Sequence, residues 1–264
     1  MPEGHTLHRL AAEHTQLLGG EQVRASSPQG RFADGARIID GQAFQAAEAW
    51  GKHLLHRYEG GTLVHIHLGL YGAFTTGPAP AGPPVGQVRM RIATGTNVID
   101  LRGPTRCALI GPLELAALLD RLGPDPLRHD ADPGLAWERV SRSRAPIGAL
   151  LMDQAVLAGV GNVYRAEVLF RQRIAPRLAG RDLGRHLWDA LWKDLVTLMP
   201  IGVREGRMIT VEPEHDHGAA PYEPGRPRTY VYRRTGEPCR ICGTPIEQED
   251  LRGRKLYWCP RCQR

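Results

Sequence analysis

Four cysteines near the C-terminal end constrain the fold of this chain more than any other feature. They form two Cys-x-x-Cys pairs, Cys239 with Cys242 and Cys259 with Cys262, and 16 residues separate the pairs. Each pair presents two thiolates from one tight turn, and four such thiolates match a tetrahedral zinc site. Two disulfides are the alternative, but thiols stay reduced in the cytosol, where a chain without an export signal is expected to remain. The pattern therefore predicts one structural zinc, on which so short a segment depends for its fold.

Positive charge is concentrated in the same segment. The 264 residues include 34 Lys and Arg against 28 Asp and Glu, which gives a net charge of +6. Residues 226–264 contain ten of the basic side chains and four acidic ones, so they account for the whole net charge. A basic module on a neutral body indicates a polyanionic partner, of which nucleic acid is the commonest.

An acidic membrane surface is the second candidate partner, and the sequence argues against it. No apolar run reaches 18 residues, and no amphipathic helix combines a basic face with an aromatic one. No basic segment followed by an apolar run and a cleavage site opens the chain. We therefore expect no membrane association, and a cytoplasmic, nucleoid-associated monomer.

The order of sequence patterns predicts three domains. A hydrophobic content of 42% is sufficient for a core, and 264 residues suit one large domain or two to three small ones. Residues 3–18 have helical periodicity, and the strand-like runs that follow predict a β-rich domain over residues 1–110. Helical patterns come next, at residues 112–122, 136–143, 147–154, 164–171 and 182–203. They predict a helical domain over residues 111–225 that ends in a polar loop. The zinc module over residues 226–264 completes an α+β multidomain fold.

The clearest strand pattern lies at residues 63–68. Val64, Ile66 and Leu68 alternate with His65 and His67, so the apolar side chains share one face and the histidines share the other. Residues 78–86 are rich in proline and glycine, which predicts a surface loop.

The first residues, Met1-Pro2-Glu3, have two interpretations. Proline is tolerated in the first turn of a helix, where its missing N–H is no loss, and an acid there suits the helix dipole. Alternatively, removal of Met1 makes Pro2 a terminal secondary amine that can attack a sugar aldehyde carbon. These residues alone leave both interpretations open.

Three further cations or amides could contact a phosphate. The glycine-rich stretch before Asn162 predicts an anion site at a helix N-terminus, although Asn162 could instead cap that helix. Lys52 follows Trp50-Gly51 at a predicted hairpin edge, where a lone lysine is usually a solubilising charge. Arg254 lies between the cysteine pairs, either as a contact in a DNA groove or as a solvated charge.

Two other features have ordinary explanations. The fifth cysteine, Cys107, is most simply a small buried hydrophobe. His215 and His217 flank an aspartate in a polar stretch, and histidines with this spacing are usually loop residues rather than ligands of a second metal.

These pieces resemble, in order and along nearly the full length, the formamidopyrimidine-DNA glycosylase/endonuclease VIII family, and most closely an actinobacterial endonuclease VIII-like branch. The supporting stretches are MPEG, GKHLL, HLGLYG, LMDQAVLAGVGNVYRAEVLF, VYRRTGEPCRICGTPI and RKLYWCPRCQ. The resemblance implies an N-terminal β-sandwich with an N-terminal helix, a helix–two-turn–helix domain and a C-terminal zinc-finger hairpin. It also implies a bifunctional DNA glycosylase and AP lyase of base excision repair.

The resemblance assigns a role to several of the candidate residues. Pro2 would be the nucleophile that forms a Schiff base, and Glu3 the acid beside it. Lys52 would be the lysine of the hairpin turn. Asn162 would contact DNA from the helix–two-turn–helix motif, and Arg254 from the tip of the zinc finger.

The lesion preference follows from residues that fill the hole left by a flipped nucleotide. Leu70 and Tyr71 match the wedge of the endonuclease VIII branch, in which a glutamine stands where this chain has Gly69. Thr105 and Cys107 stand where the guanine-directed branch has an arginine and a phenylalanine. We therefore predict a preference for oxidised pyrimidines over 8-oxoguanine paired with cytosine, with weak discrimination of the opposite base. Single strands are a second candidate substrate beside duplex DNA, because an unpaired base is easier to flip.

The remaining assignments concern the loops. Arg106 lies between Thr105 and Cys107, in the loop that corresponds to the second gap-filling loop of the family, and it is predicted to contact DNA. The stretch 204–225 is expected to contribute to the base pocket.

Three other functions remain open at this stage. The first is a glycosylase directed at 8-oxoguanine and formamidopyrimidines. The second is a non-catalytic zinc-ribbon protein that binds damaged DNA, which would have no use for a terminal proline. The third, an enzyme acting on a small aldehyde through its terminal amine, leaves the basic zinc module unexplained.

Overall fold

The computed structural model of this chain describes residues 2–216, 226 and 228–264. Met1, His217 and the rest of the stretch 217–225 lie outside the described residues, so part of the expected base pocket does too. The chain divides into two compact units, residues 1–120 and residues 121–264. No helix among the described residues is sufficiently long and apolar to cross a membrane.

The first unit is a β-sandwich, which confirms the expected fold class. Its strands are β1 Arg24–Ser26, β2 Phe44–Trp50, β3 His53–Tyr58, β4 Leu63–His67, β5 Ala73–Pro78, β6 Val88–Ala93, β7 Asn97–Arg102 and β8 Arg106–Leu109. They form two antiparallel four-stranded sheets, in the orders β1-β6-β7-β5 and β2-β3-β4-β8. Alternate apolar residues of both sheets point into one buried cluster, as a period of two requires.

Helix α1, Gly4–Leu18, closes this core and confirms the first predicted helix. Its buried residues Leu7, Ala11 and Leu18 lie one or two turns apart and therefore share a face. The helix ends at Leu18, and the next position requires glycine, because a Cβ on Gly19 would come 2.5 Å from the Thr15 carbonyl oxygen.

Two helices of the first unit differ from the predictions. Helix α2, Ala33–Ile39, falls in a region where only strands were predicted, since seven residues are too few to establish a helical period. Helix α3, Pro112–Leu119, was assigned to the helical domain. It packs instead on the first unit, where Leu118 joins a buried cluster with Leu55 and Leu63.

The second unit is helical and ends in a β-hairpin. Its elements are α4 Pro133–Ser141, α5 Ile147–Leu150, α6 Asn162–Arg171, α7 Arg185–Glu205, β9 Glu247–Leu251 and β10 Arg254–Trp258. Three of the four predicted helices are confirmed within a few residues at each end. The main core cluster of this unit surrounds the fully buried Trp188.

The remaining helix predicted for this unit, residues 147–154, forms only over its first turn, Ile147–Leu150, so the prediction is wrong for residues 151–154. The carboxylate of Asp153 accepts a hydrogen bond from the Ala155 N–H at 3.0 Å. The Gln154 side chain bonds the Gly159 N–H at 3.0 Å and the Val160 carbonyl at 2.9 Å. Such side-chain bonds compete with helical ones, and here they shape the turns that lead into α6.

Candidate functional site

Pro2 and Glu3 stand at the start of α1 but outside it. Glu3 is the N-cap residue and Gly4 the first helical residue, so Pro2 does not occupy the first turn, contrary to the structural interpretation of its sequence. The Glu3 side chain is fully buried and makes no capping bond to the helix. Helix capping therefore explains neither residue.

The start of α1 lies near the turn between β2 and β3. The Gly20 N–H donates to the Phe44 carbonyl at 2.8 Å, and the Ala47 N–H donates to the Thr15 hydroxyl at 2.8 Å, so helix and strand run in opposite directions. From Thr15 back to Glu3 the helix extends about 18 Å. From Ala47 forward to Trp50 the strand extends about 10 Å, and the turn with Lys52 follows it. Both therefore end on the same side of the sandwich.

Lys52 occupies that turn, half-buried beside Gly51. Directly opposite residues cross the sheet from here as a row, in which Trp50 pairs with His53, His53 with His67 and His67 with Arg106. The His53 and His67 rings lie 4.9 Å apart between centroids. Burial, and then the charge of Lys52, lower the pKa of His67, which places the lysine close to this row.

The loop with the predicted wedge, Leu70 and Tyr71, and the loop before Arg106 leave the sheet at the same end. Leu70 and Tyr71 are exposed apolar side chains, with 44% and 89% of their surface accessible. Arg106 is exposed at the start of β8 and has Glu114 at 3.7 Å. Cys107 is buried in the sandwich core, as predicted, and burial raises its pKa to about 12. The first unit thus places Lys52, Leu70, Tyr71 and Arg106 at one end of a sheet, and the start of α1, with Pro2 and Glu3, is directed to the same side.

Asn162, in the second unit, reaches the zinc hairpin. Gly161 is the N-cap of α6 and Asn162 its first residue, so the alternative that Asn162 caps the helix is wrong. Its side-chain amide donates to the Lys255 carbonyl at 2.9 Å, and Arg165 donates to the same oxygen at 2.8 Å. Arg165 also hydrogen-bonds the Asn162 side-chain oxygen. The start of α6 therefore holds β10 at Lys255. The neighbouring residue, Arg254, is exposed and is the one predicted to contact DNA.

The four cysteines cluster as the predicted zinc site requires. All four sulfur atoms lie within 4.8 Å of one another. Sγ of Cys239 is 3.9 Å from that of Cys262, and Sγ of Cys242 is 3.5 Å from that of Cys259. A tetrahedron with Zn–S bonds of about 2.3 Å separates its sulfurs by about 3.8 Å, so the cage fits zinc and excludes disulfides between these pairs. This arrangement confirms one structural zinc.

Sequence reasoning missed Glu167, the buried carboxylate that anchors the segment entering the zinc module. Glu167 lies in α6 and accepts backbone N–H bonds from Tyr230, Val231 and Tyr232 at 2.6–3.0 Å. The Thr210 hydroxyl donates a fourth bond at 2.5 Å. The signal in the sequence was a single acid inside the apolar run AEVLF, which an ordinary solvated face does not explain.

Comparison with known families agrees with this arrangement. The formamidopyrimidine-DNA glycosylase N-terminal domain matches residues 1–107, and the H2TH domain of the same enzyme matches residues 122–213. The zinc finger found in FPG and IleRS matches residues 236–264.

Individual relatives cover the whole chain. Endonuclease 8 1 of Mycobacterium tuberculosis is 58% identical over 267 residues, which are 100% of both proteins. Formamidopyrimidine-DNA glycosylase of Gloeobacter violaceus is 34% identical over 280 residues, covering 100% of this chain and 97% of that protein. The Fpg of Lactococcus lactis, solved with DNA containing an abasic site, covers 99% of both chains with a TM-score of 0.82 at 20% identity, which shows a shared fold. The chain belongs to the formamidopyrimidine-DNA glycosylase/endonuclease VIII family, whose members are DNA glycosylases with AP lyase activity.

Proposed function

We propose that this protein removes oxidised pyrimidines from DNA through a Schiff base on Pro2 and then nicks the strand. The observation that carries the proposal is the meeting of three features at one end of the first unit. These are the start of α1, the Lys52 turn and the exposed pair Leu70 and Tyr71.

The chemistry begins with a flipped nucleotide. A damaged base is inaccessible inside the stack, so its nucleotide turns out into the enzyme while protein side chains fill the gap. Once Met1 is removed, the neutral amine of Pro2 attacks C1′ of the sugar, and the C1′–N bond to the base breaks. A secondary amine gives a positively charged iminium, which serves as an electron sink. Loss of a proton from C2′ then expels the 3′ phosphate and cuts the strand.

The surrounding residues support these steps. An α-amino group titrates near pH 8, so a minority is neutral at pH 7, and the positive end of α1 favours that form further. Glu3, buried beside Pro2 in sequence, would transfer protons to and from the opening sugar ring. Lys52 and Arg106 would hold phosphates from the first unit, and Asn162 and Arg254 from the second.

The preference for pyrimidines rests on the wedge. Leu70 and Tyr71 are exposed and available to enter the duplex. Cys107 points into the core, so it cannot reach the base opposite the lesion. The relative with 58% identity is an endonuclease 8, which supports the same branch.

Trapping with borohydride tests the nucleophile. Wild-type protein mixed with abasic-site DNA and borohydride should form a covalent adduct, because reduction fixes the iminium. Protein that retains Met1 or carries an N-terminal tag should bind the DNA without an adduct. Trapping by the tagged protein would overturn the assignment of Pro2, and no trapping by the wild type would favour the non-catalytic DNA-binding alternative.

Rates of base release test the specificity. Thymine glycol and 5-hydroxyuracil should leave faster than 8-oxoguanine from matched duplexes, and single strands should also be cut. Faster release of 8-oxoguanine that depends on an opposing cytosine would place the protein in the guanine-directed branch.

We further propose that the protein works as a cytoplasmic, nucleoid-associated monomer with three modules. Their proposed bounds are residues 1–110, 111–225 and 226–264, with helix α3 at the start of the second module packed on the first. The family models, which match one region in each module, support this division.

A further inference from the structure

The two loops at the site end of the first unit are joined to each other through His67 and Thr105. The first loop is residues 68–72 and the second is residues 103–105. The Thr105 N–H donates to the His67 carbonyl at 2.9 Å. The Thr105 hydroxyl lies 3.0 Å from that carbonyl and 2.8 Å from Nδ1 of the His67 ring. The side chain of the second loop thus contacts both the backbone and the ring of the residue that begins the first.

The first loop makes a bond of its own to the same ring nitrogen. The Gly69 N–H donates to Nδ1 of His67 at 3.2 Å. A backbone N–H can only donate, so Nδ1 carries a lone pair, the ring is neutral, and its proton lies on Nε2. The Thr105 hydroxyl has a single proton, which it donates to the His67 carbonyl oxygen or shares with Nδ1. The lowered pKa of His67 is consistent with this neutral ring.

Packing makes the two loops complementary. Gly69 has a φ of +68°, and a Cβ at this position would come 2.4 Å from the methyl group of Thr105. The methyl group therefore fills the space that a side chain at residue 69 would need. This contact explains why a glycine in the first loop and a threonine in the second occur together in this chain.

The base of the first loop is also closed internally. The Gly72 N–H donates to the Leu68 carbonyl at 3.0 Å, and a Cβ on Gly72 would come 2.3 Å from that oxygen. Only the tip, Leu70 and Tyr71, is exposed. The loop therefore combines a fixed base with an accessible apolar tip.

We propose that His67 and Thr105 form a latch that fixes the wedge loop before DNA binds. The proposal rests on the proposed function, in which Leu70 and Tyr71 replace the flipped nucleotide. A loop that is ordered in advance loses less conformational entropy when it enters the duplex. More of the free energy of its contacts with DNA is then available to offset the cost of opening the base pair. His67 and Thr105 are positioning residues, since they act through the loop rather than on the sugar or the base.

The decisive variant is Thr105→Val, which keeps the shape and the methyl group of the side chain but removes its hydroxyl. Single-turnover excision is measured on one oxidised pyrimidine in two contexts, a fully paired duplex and a mismatched bubble in which no pair has to open. We expect a fall of roughly fivefold to tenfold in the paired duplex, the effect of one ordinary hydrogen bond, and no change in the bubble. Thr105→Ser keeps the hydroxyl and should retain the paired-duplex rate more fully than Thr105→Val.

Two further measurements separate the latch from a general effect on folding. Nitrogen chemical shifts of the His67 ring should show the Nε2-protonated form in the wild type and a weakened bond at Nδ1 in Thr105→Val. Thermal unfolding of the two Thr105 variants checks that both remain folded at the assay temperature.

The outcomes distinguish the latch from the function beneath it. Equal losses in paired and bubble substrates, or no loss in either, would overturn the latch. If the wild type still traps abasic-site DNA with borohydride in those cases, the proposed function stands. No trapping by the wild type would overturn the function itself.

Discussion

Each unit of this protein buries a polar cluster in its core, and the two clusters are built in opposite ways. In the first unit, Nδ1 of His14 and Nε2 of His56 lie 2.9 Å apart inside the core, in edge contact with Phe44 and Phe74. Burial lowers the pKa of His14 to about 3 and that of His56 well below its usual 6.5. Both rings are therefore neutral at pH 7. The second unit instead buries a carboxylate, Glu167, with four hydrogen-bond donors around it.

This difference indicates which variable unfolds each unit. A neutral polar group can be buried with one hydrogen bond, but it becomes costly once it is charged. A buried charge is tolerated only while all of its partners stay in place. The first unit should therefore respond to pH. The second unit should respond to the loss of zinc from the cysteine cage or to the loss of the hydrogen bonds around Glu167.

Removing zinc should have the largest effect, and it should be confined to the second unit. Structural zinc contributes on the order of 10 kcal/mol, so a chelator should unfold the hairpin and weaken DNA binding. The four cage thiols should then react with a thiol reagent, whereas Cys107 should stay protected in the sandwich core. Reaction of Cys107 at the rate of the cage cysteines would show that the two units unfold together.

Glu167→Gln should have the next largest effect. The amide group turns one acceptor oxygen into a donor that faces backbone N–H groups, so we expect a loss of about 3 kcal/mol in the free energy of unfolding. The backbone amides of residues 230–232, which donate to Glu167 in the wild type, should exchange hydrogen with solvent faster in the variant. Glu138→Gln is the matched control, because it removes the same charge from an exposed position on α4. Similar losses in both variants would mean that net charge, rather than the buried bonds, is responsible.

Acid should destabilise the first unit more than the second. Unfolded histidines protonate near pH 6.5, but the pKa of folded His14 is about 3, so the unfolded chain binds more protons between these values. Stability is thus lost as the pH falls below 6.5, by up to about 1.4 kcal/mol per pH unit for each such histidine. Burial raises the pKa of Glu167, so its contribution has the opposite sign and increases as the pH falls.

Hydrogen exchange between pH 7 and pH 5 measures this contrast unit by unit. Amides of β2 and β3 should lose protection, whereas those of α6 should keep it. His56→Phe should flatten the pH dependence of the first unit, since an uncharged ring would then lie among Phe44, Tyr58 and Phe74. An unchanged slope in that variant would rule out the histidine pair as the cause.

The same contrast explains what the sequence could predict. Helix α1 and the zinc cage follow from local spacing, which the sequence displays directly. The contact of His67 with Thr105 depends on the register of β4 against β8, which joins residues 38 positions apart. The bond from Asn162 to Lys255 spans 93 positions, and the sequence around Asn162 indicated only an anion site or a helix cap. Local patterns thus identify the participants, whereas the register between distant segments decides what they touch.

The smallest predicted effect comes from comparing two hairpin turns. The first turn, residues 50–53, joins β2 to β3, and the second, residues 251–254, joins β9 to β10. Both present a cation at the tip, but the first places Gly51 at its left-handed position, with a φ of +57°. The second places Arg252 there, with a φ of +50°, followed by Gly253. An L-residue other than glycine pays about 1–2 kcal/mol for this backbone conformation, and asparagine is better tolerated than arginine. Arg252 is exposed, so packing does not compensate for the backbone strain. We therefore expect its positive charge to contribute to DNA binding.

Arg252→Asn should therefore raise stability and lower DNA affinity at the same time. The hairpin should gain up to about 1 kcal/mol, seen as slower release of zinc on heating. Affinity should fall, and the slope of log affinity against log salt should decrease by about one, as expected when one phosphate contact is lost. Arg252→Lys retains both the strain and the charge, so it should resemble the wild type in both measurements. An Asn variant that is more stable and binds DNA equally well at every salt concentration would show that the strained arginine does not contact the phosphate backbone.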